Sequence, residues 1–318
     1  MTTANELIQS LPHADRVRSL RIKSGVATAI VDVGGLDPSE RDALEEELRA
    51  ALLKIEGVEE ARIALTAADP RRTVIAVGSG KGGVGKSTMA ANLAIALARS
   101  GRKVGLIDAD VYGPSQPTLL GHPEQPGALD EQLIPIEAHG IRFLSLGNLV
   151  KPGQALAWRG PMASGALAKL IEAQWGDCEI LIVDLPPGTG DVQITLVQKL
   201  KPDGAVIVST PQDLSLIDAE RAVDLFNRVQ VPILGLIENM AGYQCPHCGK
   251  ESEPFGTGGA EDGAKRMHIP FLGRLPLSLA IRTASDAGLP PALEEATATG
   301  AFATIAARIL KSLEKVGG

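Results

Sequence analysis

Residues 78–88 read GSGKGGVGKST, and this stretch decides the fold. Gly80, Gly85 and the pair Lys86-Ser87 meet the G-x-x-x-x-G-K-[ST] spacing of a phosphate-binding loop. In such a loop backbone N–H groups turn inward around the phosphates, the lysine reaches the outer phosphates, and the hydroxyl that follows it binds Mg²⁺. The residues expected to contact a nucleotide are Gly80, Lys81, Gly82, Gly83, Val84, Gly85, Lys86, Ser87 and Thr88.

The flanking sequence supports this interpretation. The apolar run from Val74 to Val77 is typical of a buried strand, and Met89, Leu93 and Leu97 have the spacing of one helix face. The phosphates would then lie at a helix N-terminus, where free N–H groups and the helix dipole favour anions. We therefore expect nucleotide binding; the alternative is a glycine-rich turn without a ligand.

Composition narrows the class of protein. The chain has 318 residues, 44% of them hydrophobic, which is enough for one large α/β domain of about 250 residues and a smaller module. No apolar stretch approaches the roughly 20 residues of a membrane span, and the N-terminus has no signal sequence, so we expect a cytoplasmic protein. A net charge of -7 argues against nucleic acid as a partner, and three cysteines do not indicate a disulfide framework.

The pattern of apolar residues divides the chain into two parts. Residues 1–66 read as a small α+β module, residues 67–72 as a linker, and residues 73–318 as an α/β domain. Apolar strands alternate with helices in the larger part, which predicts a mostly parallel sheet covered by helices on both faces. Its strands are predicted at 74–77, 104–108, 141–146, 180–184, 205–210, 233–238 and 270–273.

Carboxylates follow two of these strands. Phosphoryl transfer needs Mg²⁺ held near the phosphates and a water held in line with the bond that breaks. Asp184 is expected to be the Walker B carboxylate that bonds the Mg²⁺ shell, and Asp110 to orient or activate the water. Asp108 would support Asp110, and Asp191 would lie in a switch loop. Either of these two could instead be a helix N-cap.

Cys245 and Cys248 form a C-x-x-C pair in a loop around residues 241–260. Two thiolates at this spacing can face one metal, and soft sulfur ligands favour zinc or iron–sulfur centres. Such centres usually need four ligands, and Cys178 is expected at the opposite end of the sheet from the nucleotide. One chain therefore supplies half a site, which a two-fold dimer would complete. A dimer-bridging zinc ion and a redox-active cysteine pair are the alternatives.

Several of these segments together resemble a known family. Lys81 is one lysine more than the loop requires, and it makes residues 81–87 similar to the deviant Walker A loop of ParA- and MinD-like ATPases. With residues 108–115, 184–191, 238–240 and the cysteine pair, the chain resembles the Mrp/ApbC family of iron–sulfur cluster carriers over nearly all of residues 73–290.

This resemblance implies a P-loop ATPase that works as a homodimer. Lys81 would cross the interface and touch the partner's nucleotide, and ATP would be hydrolysed with Mg²⁺. Cys245 and Cys248 would share a bridging [4Fe-4S] cluster that is handed to apo client proteins, with assembly factors as further partners. Asn239 matches the position that reads the adenine edge in related ATPases, although its amide could equally cap the following loop.

Two other functions remain open at this point. One is a positioning ATPase that acts on membrane or DNA, for which a C-terminal apolar stripe could supply a membrane contact. The other is an ATP-dependent iron–sulfur electron donor. The stripe consists of Phe302, Ile305, Ile309, Leu313 and Val316.

The N-terminal module resembles a shortened MIP18-type domain but has neither its acidic Asp-Pro-Glu segment nor a cysteine. Residues 158–161 and 212–213 could also approach the nucleotide or the dimer interface, but the sequence alone does not place them.

Overall fold

The computed structural model describes residues 4–23, 25–34, 36–66, 72–129, 132–149, 160–294 and 297–317. The chain divides into two compact units, residues 1–71 and 72–318. Most of the predicted linker, residues 67–71, lies outside the described residues, as do Trp158 and Arg159.

The smaller unit is a three-stranded sheet with its own apolar core. Strand β2 (Val26–Asp32) lies between the other two strands, antiparallel to β1 (Val17–Lys23) and parallel to β3 (Glu60–Thr66). Leu44, Leu48 and Leu52, spaced four residues apart on one helix, are buried in this core. A capping box begins that helix, because Asp37 accepts a hydrogen bond from the Glu40 N–H while Glu40 accepts one from the Asp37 N–H. The elements are α1 (Ala4–Gln9), β1 (Val17–Lys23), β2 (Val26–Asp32), α2 (Pro38–Leu52) and β3 (Glu60–Thr66), with a 3-10 turn at Ala14–Arg16.

The larger unit alternates strands and helices. Its strands are β4 (Thr73–Gly78), β5 (Val104–Asp108), β6 (Gly127–Leu129), β7 (Gln132–Ile134), β8 (Ile136–Ala138), β9 (Ile141–Ser145), β10 (Ile180–Asp184), β11 (Gly204–Ser209), β12 (Ile233–Glu238), β13 (Tyr243–Gln244), β14 (Glu251–Ser252) and β15 (Phe271–Arg274). Its helices are α3 (Lys86–Arg99), α4 (Gln116–Leu119), α5 (Gly160–Ile171), α6 (Asp191–Leu200), α7 (Asp213–Arg228), α8 (Gly259–Arg266), α9 (Leu279–Asp286) and α10 (Thr297–Gly317), with 3-10 turns at Leu146–Leu149 and Pro291–Leu293.

Eight strands form the main sheet, in the order β15-β12-β11-β4-β10-β5-β9-β8. All neighbours are parallel except β8 and β9, which form an antiparallel hairpin at one edge. Apolar cores lie on both faces: α3 and α10 contribute to one, and α5, α6, α7 and α8 to the other. The mostly parallel sheet covered on both faces is therefore confirmed. All seven predicted strands are present, whereas the three-residue strand β8 was too short to leave a pattern.

Helix α10 carries the C-terminal apolar stripe, and most of it faces the core. Phe302, Ile305 and Ile309 are at most 1% exposed and belong to the same core as the apolar face of α3. Leu313 is partly buried there, and Val316 is 46% exposed. Most of the stripe is thus covered by other residues of the same unit. Across the described ranges, none of the helices combines the length and the apolar character that crossing a membrane requires.

Replacing Ile309 by Ala should lower the free energy of unfolding by about 2–5 kcal/mol, since it removes fully buried methyl groups and leaves a cavity. The matched control is Val316→Ala on the same helix, which should cost less than about 0.5 kcal/mol because the side chain is largely exposed. Urea denaturation followed by circular dichroism measures both values. Equal losses for the two variants would contradict the packing of the stripe.

Candidate functional site

The carboxyl ends of three adjacent strands bring the loop and the carboxylates together. In the register of the sheet, Asp184 at the end of β10 pairs with Val77 of β4 on one side and with Asp108 of β5 on the other. The Ala109 N–H donates to the Asp184 carbonyl at 2.9 Å, and the Leu185 N–H donates to the Val77 carbonyl at 3.1 Å. The phosphate-binding loop after β4 therefore lies beside both carboxylates, where an α/β sheet binds its ligands.

The loop itself is held by close backbone contacts. Gly83 and Gly85 have φ values of 81° and 84°, a left-handed conformation that favours glycine. Gly80 lies so close to α7 that an added Cβ would stand 1.9 Å from the Asp218 carbonyl oxygen. The Gly188 N–H donates to the Ser79 carbonyl at 3.0 Å, which ties the loop to the segment after β10. These contacts fix the path of the loop.

Lys86 and Asp184 form a buried ion pair beneath the loop. Lys86 is 6% exposed and Asp184 is fully buried, and the ammonium Nζ bonds directly to Asp184 Oδ1. Lys86 Nζ also lies 3.3 Å from Ser87 Oγ. Buried charges are costly unless they are paired, and here each of the two charges is the partner of the other. The structure thus brings Lys86, Ser87 and Asp184 together as predicted, while their roles in catalysis remain predictions.

Gln116, which the sequence analysis missed, completes this cluster. Its amide Nε2 donates to Asp184 Oδ2 at 2.9 Å and to the Ser87 carbonyl at 3.0 Å. The side chain is fully buried, and its Oε1 has no hydrogen-bond partner among the described residues. A glutamine at the start of a short helix carries no sequence signal that separates it from a surface glutamine. Only the neighbouring segment 108–115 pointed to this region.

Asp108 and Asp110 are both held by the backbone that follows them. Asp108 Oδ2 accepts hydrogen bonds from the N–H groups of Ser115 and Gln116, at 2.9 and 3.0 Å, and therefore caps the start of α4. Burial, with a further contribution from Asp184, raises the pKa of Asp108 to about 7 against the effect of these bonds. Asp110 is 7% exposed, and its Oδ1 accepts from the N–H groups of Tyr112 and Gly113. Of the two roles considered for Asp108, its contacts match those of a helix cap.

A cavity of about 260 Å³ adjoins the loop on its other side. Gly85 and Thr88 line it from the loop, and Asn239 lines it from the end of β12. Asn239 Nδ2 donates to the Val84 carbonyl at 2.8 Å, so its amide bonds the loop itself. The remaining walls are largely apolar and include Leu275. A few polar groups within apolar walls are typical of a ligand site. Contact between Asn239 and a base stays a prediction.

The cysteine pair lies at the tip of a short hairpin. Strands β13 and β14 pair antiparallel, the Cys245 N–H donates to the Lys250 carbonyl at 2.9 Å, and the Gly249 N–H donates to the Cys245 carbonyl at 2.9 Å. The pKa of Cys245 is lowered by the N–H groups of Cys248 and His247 and by the Cys248 thiol. Cys245 is half-buried and Cys248 is exposed. This geometry favours the thiolate form of Cys245, and neither cysteine is fully buried.

Two cysteines are all that the described part of one chain brings to this hairpin. Among the described residues no group of three or more His, Cys, Asp and Glu side chains could hold a metal. Cys178 is buried just before β10, at the end of the sheet away from the loop, and burial raises the pKa of its thiol. The described part of one chain therefore offers two thiols at this hairpin.

Glu238 fixes the base of the loop that carries the hairpin. It is fully buried at the end of β12 and accepts hydrogen bonds from the N–H groups of Gly258 and Ala260, at 3.1 and 2.7 Å. These donors begin α8, so Glu238 serves as its cap from another strand. The loop leaves the sheet beside Asn239 and returns at this cap. Met240, the next residue, has a left-handed φ of 61°, which is uncommon for a side chain of its size.

Two further residues named from the sequence lie at the starts of helices. Asp191 is exposed and is the first residue of α6, after an N-cap at Gly190. The structure therefore places it in the first turn of a helix, where a carboxylate is favourable. Gln212 is the N-cap residue of α7. Its Oε1 accepts a hydrogen bond from Thr210 at 3.1 Å.

A glycine-rich loop between β4 and α3, with its lysine paired to a strand-end aspartate in a mainly parallel sheet, defines a P-loop NTPase. The family model described as "ParA: NUBPL iron-transfer P-loop NTPase" matches residues 71–310. The chain belongs to this family. The predicted resemblance to ParA- and MinD-like ATPases and to iron–sulfur carriers is thereby confirmed.

Relatives of known name span most of the chain. An iron–sulfur cluster carrier protein of Deinococcus radiodurans is 43% identical over 92% of this chain and 87% of its own length. The "Iron-sulfur protein required for NADH dehydrogenase, mitochondrial" of Arabidopsis thaliana is 47% identical over 77% of this chain and 80% of its own length. The iron–sulfur cluster carrier protein of Escherichia coli K12 is 47% identical over 76% of this chain and 67% of its own length.

Solved structures share the fold over about three quarters of the chain. A nucleotide-binding protein of Archaeoglobus fulgidus in complex with ADP is 38% identical, with a TM-score of 0.63 over 72% of this chain and 90% of that chain. The cell division ATPase MinD of Pyrococcus furiosus has a TM-score of 0.57 at 23% identity, over 75% of this chain and 98% of that chain. The second comparison supports the fold alone.

Replacing Gly80 by Ala should destabilise the protein by about 1–3 kcal/mol, because the new Cβ would overlap the Asp218 backbone and force the loop or α7 to shift. The matched control is Gly82→Ala, whose Cβ would meet nothing closer than 3.9 Å. Urea unfolding of both variants without nucleotide separates packing from phosphate binding. Equal unfolding midpoints would show that the close contact of Gly80 is not required.

Proposed function

We propose that the protein is an ATP-hydrolysing carrier that binds an iron–sulfur cluster between two copies of the chain and transfers it to apo-proteins. The observation that carries this proposal is one unit holding both a phosphate-binding loop and a two-cysteine hairpin, attached to the same strand end by Glu238 and Asn239. The family and the printed names of the relatives support it.

The nucleotide part of the proposal uses the cluster beneath the loop. The N–H groups of residues 80–88 would surround the phosphates, Lys86 would bond the outer ones, and Ser87 would ligate Mg²⁺. Asp184 would then bond the Mg²⁺ shell, with Gln116 holding its second carboxylate oxygen. Asp110 would orient the attacking water. The adenine would lie in the 260 Å³ cavity beside Asn239.

The cluster part of the proposal uses the hairpin. Its donors fit the cargo, because Cys245 has a lowered pKa and thiolates are the ligands that iron–sulfur clusters prefer. A two-fold axis near the hairpins would assemble Cys245 and Cys248 of both copies into a four-thiolate site. We take a [4Fe-4S] cluster as the cargo, with client proteins as acceptors. An exposed Cys248 suits a cluster that must be handed on.

The same dimer would give Lys81 its role. Lys81 is half-buried, and its ammonium forms no ion pair with a described residue. No local ion pair would therefore have to break before Lys81 reaches the nucleotide of the second copy. The C-terminal apolar stripe was the main support for a membrane-positioning function. Its residues Phe302, Ile305 and Ile309 are buried in the core, which weakens that support.

Anaerobic reconstitution with iron and sulfide tests the cargo. We expect about one four-iron cluster per dimer, and its loss in Cys245→Ala and in Cys248→Ala, since each change removes two of the four thiolates. Cys178→Ala is the matched control and should keep the cluster, because that thiol is buried away from the hairpin. Iron, sulfide and visible absorbance are the measurements. A cluster retained by the Cys245→Ala/Cys248→Ala double variant would refute the site.

Mixing inactive variants tests whether Lys81 acts across the interface. Lys81→Ala and Asp110→Ala should each abolish ATP hydrolysis alone. In an equal mixture, half of the dimers are mixed and each has one intact site of two, so about one quarter of the wild-type rate should return. Asp110→Ala mixed with Lys86→Ala is the control, because both residues act within their own subunit and no site is restored. Restoration in neither mixture would mean that Lys81 acts within its own chain.

A further inference from the structure

A groove of about 580 Å³ lies beside the cysteine hairpin. One wall is the hairpin, including Cys245, and the other is the segment 276–280 at the start of α9. Cys245 thus lines two places at once, the proposed cluster site and the groove. A chain lying in the groove would be next to a cluster ligand.

The lining of the groove is apolar at its floor and acidic at its rim. Ala241, Tyr243 and Leu277 contribute to the floor, and Leu279 is an apolar side chain that is 50% exposed. Glu251 and Glu253 line the groove from β14 and the residue after it, are exposed, and form no ion pair with a described residue. Such a surface is complementary to an extended segment with apolar side chains and flanking lysines or arginines.

The two walls are tied together by main-chain hydrogen bonds. The Ala241 N–H donates to the Leu275 carbonyl at 2.8 Å, and the Leu277 N–H donates to the Gly242 carbonyl at 2.8 Å. Tyr243 and Leu277 then pair as a parallel bridge. The groove therefore exists before any partner arrives, which lowers the entropy cost of binding one.

We propose that this groove docks the cysteine-containing segment of the protein that receives the cluster, and that this segment is extended and flanked by basic residues. The inference rests on the proposed function. In the transfer, a thiol of the acceptor loses its proton and bonds iron, while the sulfur of Cys245 or Cys248 leaves the iron and takes up a proton. No electrons are exchanged, so the step needs only that the two thiols approach closely.

Peptide binding to the full-length protein without cluster tests the groove directly. The probe is a labelled peptide of about twelve residues, with a Cys-x-x-Cys sequence between lysine pairs, and its counterpart has glutamates in place of the lysines. By fluorescence anisotropy the lysine peptide should bind at least about tenfold more tightly than the glutamate peptide. Glu251→Lys/Glu253→Lys should abolish this preference. The control Glu172→Lys/Glu314→Lys, two exposed glutamates outside the groove with the same charge change, should keep it.

Transfer from the loaded protein provides a second measurement. Ala280→Trp fills the groove from an exposed position. We expect it to slow transfer by about tenfold to an apo-ferredoxin whose Cys-x-x-Cys run is flanked by engineered lysines, while cluster content and ATP hydrolysis stay unchanged.

Equal binding of the two peptides, or transfer by Ala280→Trp at the wild-type rate, would overturn the proposal. Loss of the dimer in Ala280→Trp, with unchanged peptide binding, would also overturn it, because a second copy would then occupy the groove. If the wild-type protein assembles no cluster, the proposed function fails, whereas the peptide experiment still decides on the groove.

Discussion

The buried ion pair between Lys86 and Asp184 is the constraint on which the nucleotide site depends. Each charge would be costly to bury alone, so the loop after β4 and the end of β10 must lie side by side. This requirement is met by a strand order in which β10 inserts between β4 and β5, although it comes later in the chain. Gln116 and Asp108 then pack around the pair, and the glycines allow the loop to pass over it.

The end of β12 joins this nucleotide site to the cysteine hairpin. Asn239 bonds the loop, Glu238 caps the helix at which the hairpin segment returns, and only Met240 and two further residues separate Asn239 from β13. Residues 276–278 line both the cavity beside the loop and the groove beside Cys245. On the proposed function, nucleotide and cargo would be bound by adjoining parts of one unit, which is the arrangement that a coupled carrier requires.

Much of this organisation could be predicted from the sequence. The loop spacing, the apolar strands and the strand-end aspartates are local patterns, and parallel strands bring their carboxyl ends to one edge of the sheet. Gln116 and the capping role of Glu238 could not be predicted, because their partners lie 68 and 22 residues away in the chain. The C-terminal stripe shows a second limit of prediction from sequence. Its spacing indicates an amphipathic helix, but only the packing of α10 shows what covers the apolar face.

Because the hairpin carries only two thiols, the loading of a shared cluster would depend on the concentration of the protein. If two chains must meet to hold one cluster, loading becomes second order in the protein and dilution favours the empty chains. The abundance of the chain would then set the filled fraction, and any factor that brings two copies together would act as a loading signal. A closed four-ligand site within one chain could not be regulated in this way.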